Sequence, residues 1–384
     1  MSSATFFFAG GGTGGHLYPA IAVAEKLIKL SPDSKIHFFC SSRDIDKRVL
    51  GPAGFEYTQL PAKGFTVNPL KFFEFYKQFL ASGRIAREKI KAAQNPVVIG
   101  VGGFVAAPVC RAAYKLKVPL KLLNVDIVPG KANRLIANWA DEIFVQFDDT
   151  IGSFGSNKGK VEVVGCPLRE AFSNPQPDKV LEQLGLDKNK KILLITGASS
   201  GSANINEAIC LLLDKLSAYA ADWQIVHLSG RANFEQISKK YEGAGISVKV
   251  LDYFDDMAGL LSAAELVIGR SGAVSVAEYA SAGAASICMP YPYHKDMHQY
   301  LNAGKLVEAG AGIIVDDIAD AKERAEWLWE ELEDLMKNEQ KRRRMKESCA
   351  SVAKKGAAAA IAERLLKAAE QTKKEFKSSN QKEL

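Results

Sequence analysis

Two short glycine-rich stretches are suited to holding an anion. Gly10-Gly11-Gly12-Thr13-Gly14-Gly15-His16 follows the apolar run Thr5 to Ala9, and Gly197-Ala198-Ser199-Ser200-Gly201-Ser202 follows Lys191 to Thr196. A strand that ends in such a loop and then enters a helix offers free backbone N–H groups and the positive end of a helix dipole to phosphate. Gly10, Gly12 and Gly15 satisfy GxGxxG, and His16, a residue type that can accept a proton, directly follows the loop. A dinucleotide reading also wants an acidic residue at the end of the second strand. The chain has Cys40-Ser41-Ser42-Arg43 there, which leaves an NADP-binding oxidoreductase as one alternative.

The elements that must carry these loops follow from apolar periodicity. Strands at Thr5 to Ala9, Lys35 to Cys40, Val97 to Val101, Leu120 to Asn124, Glu142 to Gln146 and Val161 to Val164 alternate with helical segments, the first from Tyr18 to Leu30 with Pro19 in its first turn. After a polar stretch containing Pro175 and Pro177 the pattern restarts at Lys191. It continues through Gln224 to Leu228, Ser247 to Leu251, Leu266 to Ile268, Ser286 to Met289 and Gly312 to Val315. The expected fold class is α/β, two doubly wound Rossmann-like domains facing a cleft. The expected bounds are an N-terminal domain over 1–166, a C-terminal domain over 167–340, and terminal helices over 341–384 packing back toward the first domain with a frayed tail. Lys341-Arg342-Arg343-Arg344 reads as a solvated helix face.

Bulk properties agree with this plan. The 384 residues exceed what one core supports, and 47% hydrophobic with 24% charged residues excludes disorder as the main state. A net charge of +6 is a mild basic bias and not a nucleic-acid signature. Six scattered cysteines with no CxxC pair indicate reduced core thiols, with neither a disulfide framework nor a zinc site. The N-terminus reads as a first strand and not a signal peptide, and no apolar run reaches spanning length. Asp44-Ile45-Asp46 is a literal DxD, but it falls on a helix after the second strand; no metal ligand and no cofactor are assigned.

The extended loop GGGTGGHLYPA resembles the N-terminal signature of the MurG family, glycosyltransferase family 28. Gly102-Gly103-Phe104-Val105, Val128-Pro129-Gly130 with Ala132-Asn133-Arg134, and Gly165-Cys166-Pro167-Leu168-Arg169 are similar to further family segments. So are Phe254-Asp255-Asp256-Met257, Arg270-Ser271-Gly272-Ala273, Glu278, and His294-Lys295-Asp296-Met297-His298-Gln299. The resemblance covers most of the chain. It implies a GT-B enzyme that moves N-acetylglucosamine (GlcNAc) from UDP-GlcNAc, with inversion, to the C4 hydroxyl of undecaprenyl-pyrophosphoryl-MurNAc-pentapeptide (lipid I), forming lipid II for peptidoglycan. A related transferase with another UDP-sugar or glycolipid acceptor is the second reading.

The resemblance also implies roles. Glu278 would hold the ribose hydroxyls, Ala273, Val274, Ser275, Val276 and Ala277 would line the nucleotide, and backbone groups at Phe254 would meet the uracil. Ser199 would bind the donor diphosphate, Arg169 would neutralise the departing UDP, and Gln299 and Asn302 would read sugar hydroxyls. Gly12, Thr13, Gly14, Gly15 and Gly103 would surround the acceptor diphosphate, with Thr13, Gly14 and Gly15 also beside the reacting sugar. His16 is the first candidate base, with positioning or helix capping as its alternative role. The family's Glu-Gln-Asn is replaced here by Asn124-Val125-Asp126, so Asp126 becomes a donor-sugar contact and a second candidate base. The loop from Gly197 to Gly201 departs from the family's GGSQGA.

Phe72, Phe73, Phe75, Tyr76 and Phe79 interleave with Lys71 and Lys77 on one helical segment, which suits an anionic bilayer surface; a core helix with snorkelling lysines is the alternative. With a lipid-linked acceptor, the expected location is peripheral, on the cytoplasmic face of the inner membrane. Other cell-wall synthesis proteins are expected partners.

Overall fold

The computed structural model describes residues 4–64, 68–198 and 201–380, and the chain divides into two compact units. The first comprises Met1–Arg169 and Gly356–Leu384, and the second Glu170–Lys355.

In the first unit seven strands form a sheet in the order β3-β2-β1-β4-β5-β6-β7. They are β1 (Thr5–Gly10), β2 (Lys35–Cys40), β3 (Glu56–Gln59), β4 (Pro96–Gly102), β5 (Leu120–Asn124), β6 (Glu142–Val145) and β7 (Val161–Val163). All pairings are parallel, from Phe7 beside His37 and Val98 to Asn124 beside Val145. Strands buried on both faces read as continuous apolar runs, and Phe6, Phe7, Phe8 and Ala9 of β1 are all buried. The edge strand β3 has no such run; Glu56-Tyr57-Thr58-Gln59 pairs on one side only and stays partly exposed, so apolar patterning did not reveal it.

The second unit repeats the plan with six parallel strands in the order β10-β9-β8-β11-β12-β13. These are β8 (Lys191–Thr196), β9 (Trp223–Leu228), β10 (Val248–Leu251), β11 (Leu266–Gly269), β12 (Ser286–Cys288) and β13 (Gly312–Ile314). Both units are therefore Rossmann-like. In each, strand order reverses beside the first strand, at β1/β4 and at β8/β11, and ligands of open α/β sheets bind at the carboxyl ends there.

Three local features depart from the sequence-based expectation. Helix α1 (Gly14–Leu30) starts four residues before Tyr18, inside the glycine loop, because tertiary contacts described below hold residues of poor intrinsic helix propensity. The run from Lys341 to Arg344 is not simply a solvated face. On α14 (Glu339–Val352) the helical period turns Arg342 inward, where it is fully buried, donates to Glu265 at 2.7 Å and lies 5.2 Å from the Trp223 ring centre. Residues 341–355 accordingly belong to the second unit, and the stretch that returns to the first is α15 (Ala357–Asn380). Its Ile361, Leu365, Ala368 and Thr372 are buried at helical spacing, and Arg364 pairs with Glu142 and Glu162.

The cysteines are free thiols, five of them buried, and burial pushes the Cys40 thiol up to about 12. His227 on β9 is fully buried between the Tyr241 hydroxyl at 2.8 Å and Asn206 Oδ1 at 2.9 Å, and burial lowers its pKa to about 3. The unfolded chain protonates this histidine near pH 6.5 and the folded chain does not, so stability falls as pH drops from 6.5 toward 3. Urea unfolding of the second unit should therefore lose about 1 kcal/mol per pH unit more in the wild type than in His227→Gln between pH 6 and 4.5. Parallel slopes would contradict a neutral, buried imidazole.

Candidate active site

The first glycine loop hangs on a buried carboxylate. Asp46, in α2 (Asp44–Ala53), has no solvent exposure. Its Oδ1 accepts from the Gly12 N–H at 2.7 Å, and its Oδ2 accepts from the Ser41 N–H at 2.8 Å and the Ser41 hydroxyl at 2.6 Å. Arg43 grips the same peptide from outside: Nη1 donates to the Gly12 carbonyl at 3.1 Å, and the guanidinium lies 5.4 Å from the Phe104 ring centre. The DxD carboxylate is thus engaged by N–H and O–H donors that organise the loop. Its only signal in the sequence is an acidic residue in the first turn of a helix one loop away.

With Gly12 held, Thr13 becomes the N-cap of α1, and its side chain makes no capping bond. Thr13 and Gly15 are exposed and Gly12 and Gly14 buried, so the helix start opens toward solvent through alternate residues. His16, partly buried, has Nδ1 3.3 Å from both the Thr13 hydroxyl and the Gly11 carbonyl. Beside it lies the end of β4. A Cβ on Gly102, where φ is +111°, would lie 2.8 Å from the imidazole, so only glycine lets the histidine settle there.

Past β5, the buried Asn124 amide donates to the Asp126 carbonyl at 2.7 Å and its Oδ1 accepts from Asn133 at 2.9 Å. Asp126 is half-buried, and the asparagine pair sets the course of its backbone. Arg169 lies 5.2 Å from the Tyr18 ring centre, so its guanidinium is placed on an α1 aromatic two residues beyond His16.

In the second unit a cation plays the organising part. Arg270, buried after β11, donates to the Ser202 hydroxyl at 2.7 Å and to the carbonyls of Met289 and Pro290 at 2.8 and 3.2 Å, and pairs with the fully buried Asp317 carboxylate at 2.6 Å. Ser202 caps α7 (Ala203–Leu211) by accepting from Ile205 N–H. Gly201 has φ +75°, and a Cβ there would lie 2.3 Å from the Ser229 carbonyl, so the returning loop needs glycine. Ser199 lies outside the described residues.

Helical geometry sorts the expected nucleotide segment. On α11 (Ala273–Ala282) Ala273, Val274 and Val276 are buried, whereas Ser275, Ala277 and Glu278 are partly exposed. The Val276 side chain is buried with no exposure. The Phe254 side chain is likewise buried. Asn302, on α12 (His298–Glu308), is buried, and its amide donates to the Ser271 carbonyl at 3.4 Å. Gln299 remains partly exposed, with Oε1 accepting from the Tyr291 N–H at 3.0 Å.

The aromatic segment forms α3 (Pro69–Ala92), which divides along its length. Ser82, Ala86 and Ile90 are buried, while Phe72, Phe73, Tyr76 and Leu80 are exposed, Phe73 by 75%. Phe75 and Phe79 are half-buried and Lys77 is exposed; the Lys71 side chain lies outside the described residues. Among the described residues, no helix is long and apolar enough to cross a membrane.

Two Rossmann-like α/β units with parallel sheets make a GT-B fold, a class that includes glycosyltransferases. Residues 6–145 match the glycosyltransferase family 28 N-terminal domain and residues 192–365 its C-terminal domain. A UDP-N-acetylglucosamine--N-acetylmuramyl-(pentapeptide) pyrophosphoryl-undecaprenol N-acetylglucosamine transferase of Halothermothrix orenii is 34% identical over 320 residues, 81% of this chain and 85% of the relative. The enzyme of that description from Desulforamulus reducens is 32% identical over 348 residues, 88% of this chain and 92% of its own. The crystal structure of Acinetobacter baumannii MurG superposes with a TM-score of 0.71 at 26% identity, covering 95% of this chain and 99% of that one. A UDP-GlcNAc 2-epimerase from Neisseria meningitidis shares the fold alone, at a TM-score of 0.66 and 16% identity. The chain belongs to glycosyltransferase family 28.

The Asp46 contacts make a direct prediction. Asp46→Asn turns one accepting oxygen into a donor that faces N–H or O–H groups, and thermal denaturation should show the first unit destabilised by about 1–3 kcal/mol. A change within a few tenths would mean that the loop keeps its shape without this carboxylate.

Proposed function

We propose that the chain transfers GlcNAc from UDP-GlcNAc to the C4 hydroxyl of lipid I, giving lipid II with inversion at the sugar C1. The observation that carries this reading is the match of both halves of the chain to one transferase family, on two Rossmann-like units. In the step, the bond from C1 to the UDP oxygen breaks as the acceptor oxygen bonds to C1 from the opposite face. The hydroxyl proton passes to a base, and UDP leaves with the electron pair.

His16 is the base in this reading. Its imidazole sits at the mouth of the α1 N-terminus, whose N–H groups and dipole favour the acceptor pyrophosphate with Gly12, Thr13, Gly14, Gly15 and Gly103. Asp126 shares the donor sugar and the proton with it. Glu278 and Ser275, the partly exposed polar positions of α11, meet the nucleotide, Gln299 meets the sugar, and Arg169 offsets charge on departing UDP. Phe72, Phe73 and Tyr76 with Lys77 dock the first unit on the anionic cytoplasmic leaflet, where a lipid-linked acceptor would be reached.

Transfer assays with a lipid I analogue and either UDP-GlcNAc or UDP-glucose test the reaction: a disaccharide formed from UDP-GlcNAc supports it, and turnover with UDP-glucose alone favours the second donor reading. His16→Ala should lower kcat by about 10²–10⁴-fold and Asp126→Asn should shift the pH profile. Near-native rates in both would remove them from the proton step. Gly102→Ala, which displaces the imidazole while leaving the second unit intact, should cost about 100-fold in kcat with UDP-GlcNAc binding retained. For the membrane surface, Phe73→Asp with Tyr76→Asp should abolish flotation with anionic liposomes; unchanged flotation of the folded variant would place the contact elsewhere.

A further inference from the structure

The loop that leads into α12 gathers three metal-ligating side chains. His294, Asp296 and His298 each present one ligand atom, and these atoms lie within 4.8 Å of one another. The two imidazoles stack with centres 4.4 Å apart and planes 26° from parallel, and His298 Nδ1 is 2.7 Å from Asp296 Oδ1. The turn that brings them together runs through Met297, which adopts φ 48° and ψ 26°, a left-handed conformation uncommon outside glycine, with its N–H donating to the His294 carbonyl at 3.0 Å. In an extended segment His294 and His298 would stand about 13 Å apart, four residues at strand rise.

We propose that His294, Asp296 and His298 bind one borderline transition-metal dication of the Zn²⁺ type. Two imidazoles and one carboxylate, with a position left for water, suit Zn²⁺, Co²⁺ or Ni²⁺, whereas Mg²⁺ and Ca²⁺ prefer all-oxygen shells. Tetrahedral zinc with bonds near 2.0–2.1 Å spaces its ligand atoms about 3.3 Å apart. The Asp296–His298 pair opens slightly to meet that spacing and His294 closes toward it; His294 and Asp296 are exposed and His298 only partly buried, so side-chain rotation supplies the adjustment.

The site is mechanically connected to the rest of the unit. Tyr291 packs against His294 with ring centres 4.8 Å apart, lies 5.6 Å from the Arg270 guanidinium, and donates its N–H to Gln299 Oε1. A metal held by His294 and His298 would clamp both ends of the turn that carries Gln299. On the donor-sugar reading of Gln299, that clamp would change KM for UDP-GlcNAc.

Metal binding is measured on the full chain without substrate, so it stands or falls separately from the transfer reaction. Titration of the metal-free protein with ZnCl₂ by calorimetry should give one saturable equivalent, not displaced by Mg²⁺. Co²⁺ should give visible d–d bands with no near-ultraviolet thiolate band. His294→Ala with His298→Gln should weaken Zn²⁺ binding at least tenfold at unchanged melting temperature, and Asp296→Asn alone should weaken it as well. Absence of saturable binding in the wild type, equal affinity in the variants, or a Co²⁺–thiolate band from one of the six cysteines would each overturn the proposal.

Discussion

A single buried carboxylate makes the first loop possible. Five glycines in the six residues from Gly10 to Gly15 surrender more conformational freedom on folding than any other residue type, and a glycine-rich helix start has little propensity of its own. Asp46 offsets that cost with three hydrogen bonds to a charged group, each contributing about 1.5–3 kcal/mol. It also ties the end of β2 to the end of β1, so the N-terminus of α1, the seat of His16 and the path of the chain after Cys40 form one unit. Arg43 closes the outer side by donating to the Gly12 carbonyl.

The second unit solves the same problem with the opposite sign. Arg270 collects the Ser202 hydroxyl, the backbone after β12 and the Asp317 carboxylate after β13, so loops from separate strands are referred to one guanidinium. A buried ion pair of this kind contributes modestly to net stability, since desolvation consumes most of the attraction, but breaking it strands a charge. Its geometric effect is larger: it sets where α7 and α11 begin, and with them which residues face outward. Asn302 and Val276 belong to this scaffold, which explains why their exposure is nil beside partly exposed Gln299 and Glu278.

Much of the plan was legible because parallel strands covered on both faces must be continuously apolar, and glycine loops must interrupt them. The β1 and β8 repeats, the strand succession and the loops at Gly10 and Gly197 follow from that rule alone. What escaped has equally physical causes. The short β3 is polar because it is an edge, α1 begins inside glycines because Asp46 holds them, and Arg342 is buried within a run of four cationic residues because a helix turns one of them inward. The mixed character of α3 follows the same logic, its second half committed to the core and its first half left apolar and exposed.

Residue types and their order determined two doubly wound units, the two anion-accepting loops and the family to which the chain belongs, since those depend on local periodicity and motif spacing. Only the tertiary structure decided which residues serve those loops from a distance. Asp46 lies 34 positions from Gly12, and Arg270 lies 68 from Ser202. Hydrogen bonds of that separation leave no periodic trace, because a carboxylate or guanidinium becomes an organiser only when the fold removes water from around it and places its partners within 3 Å.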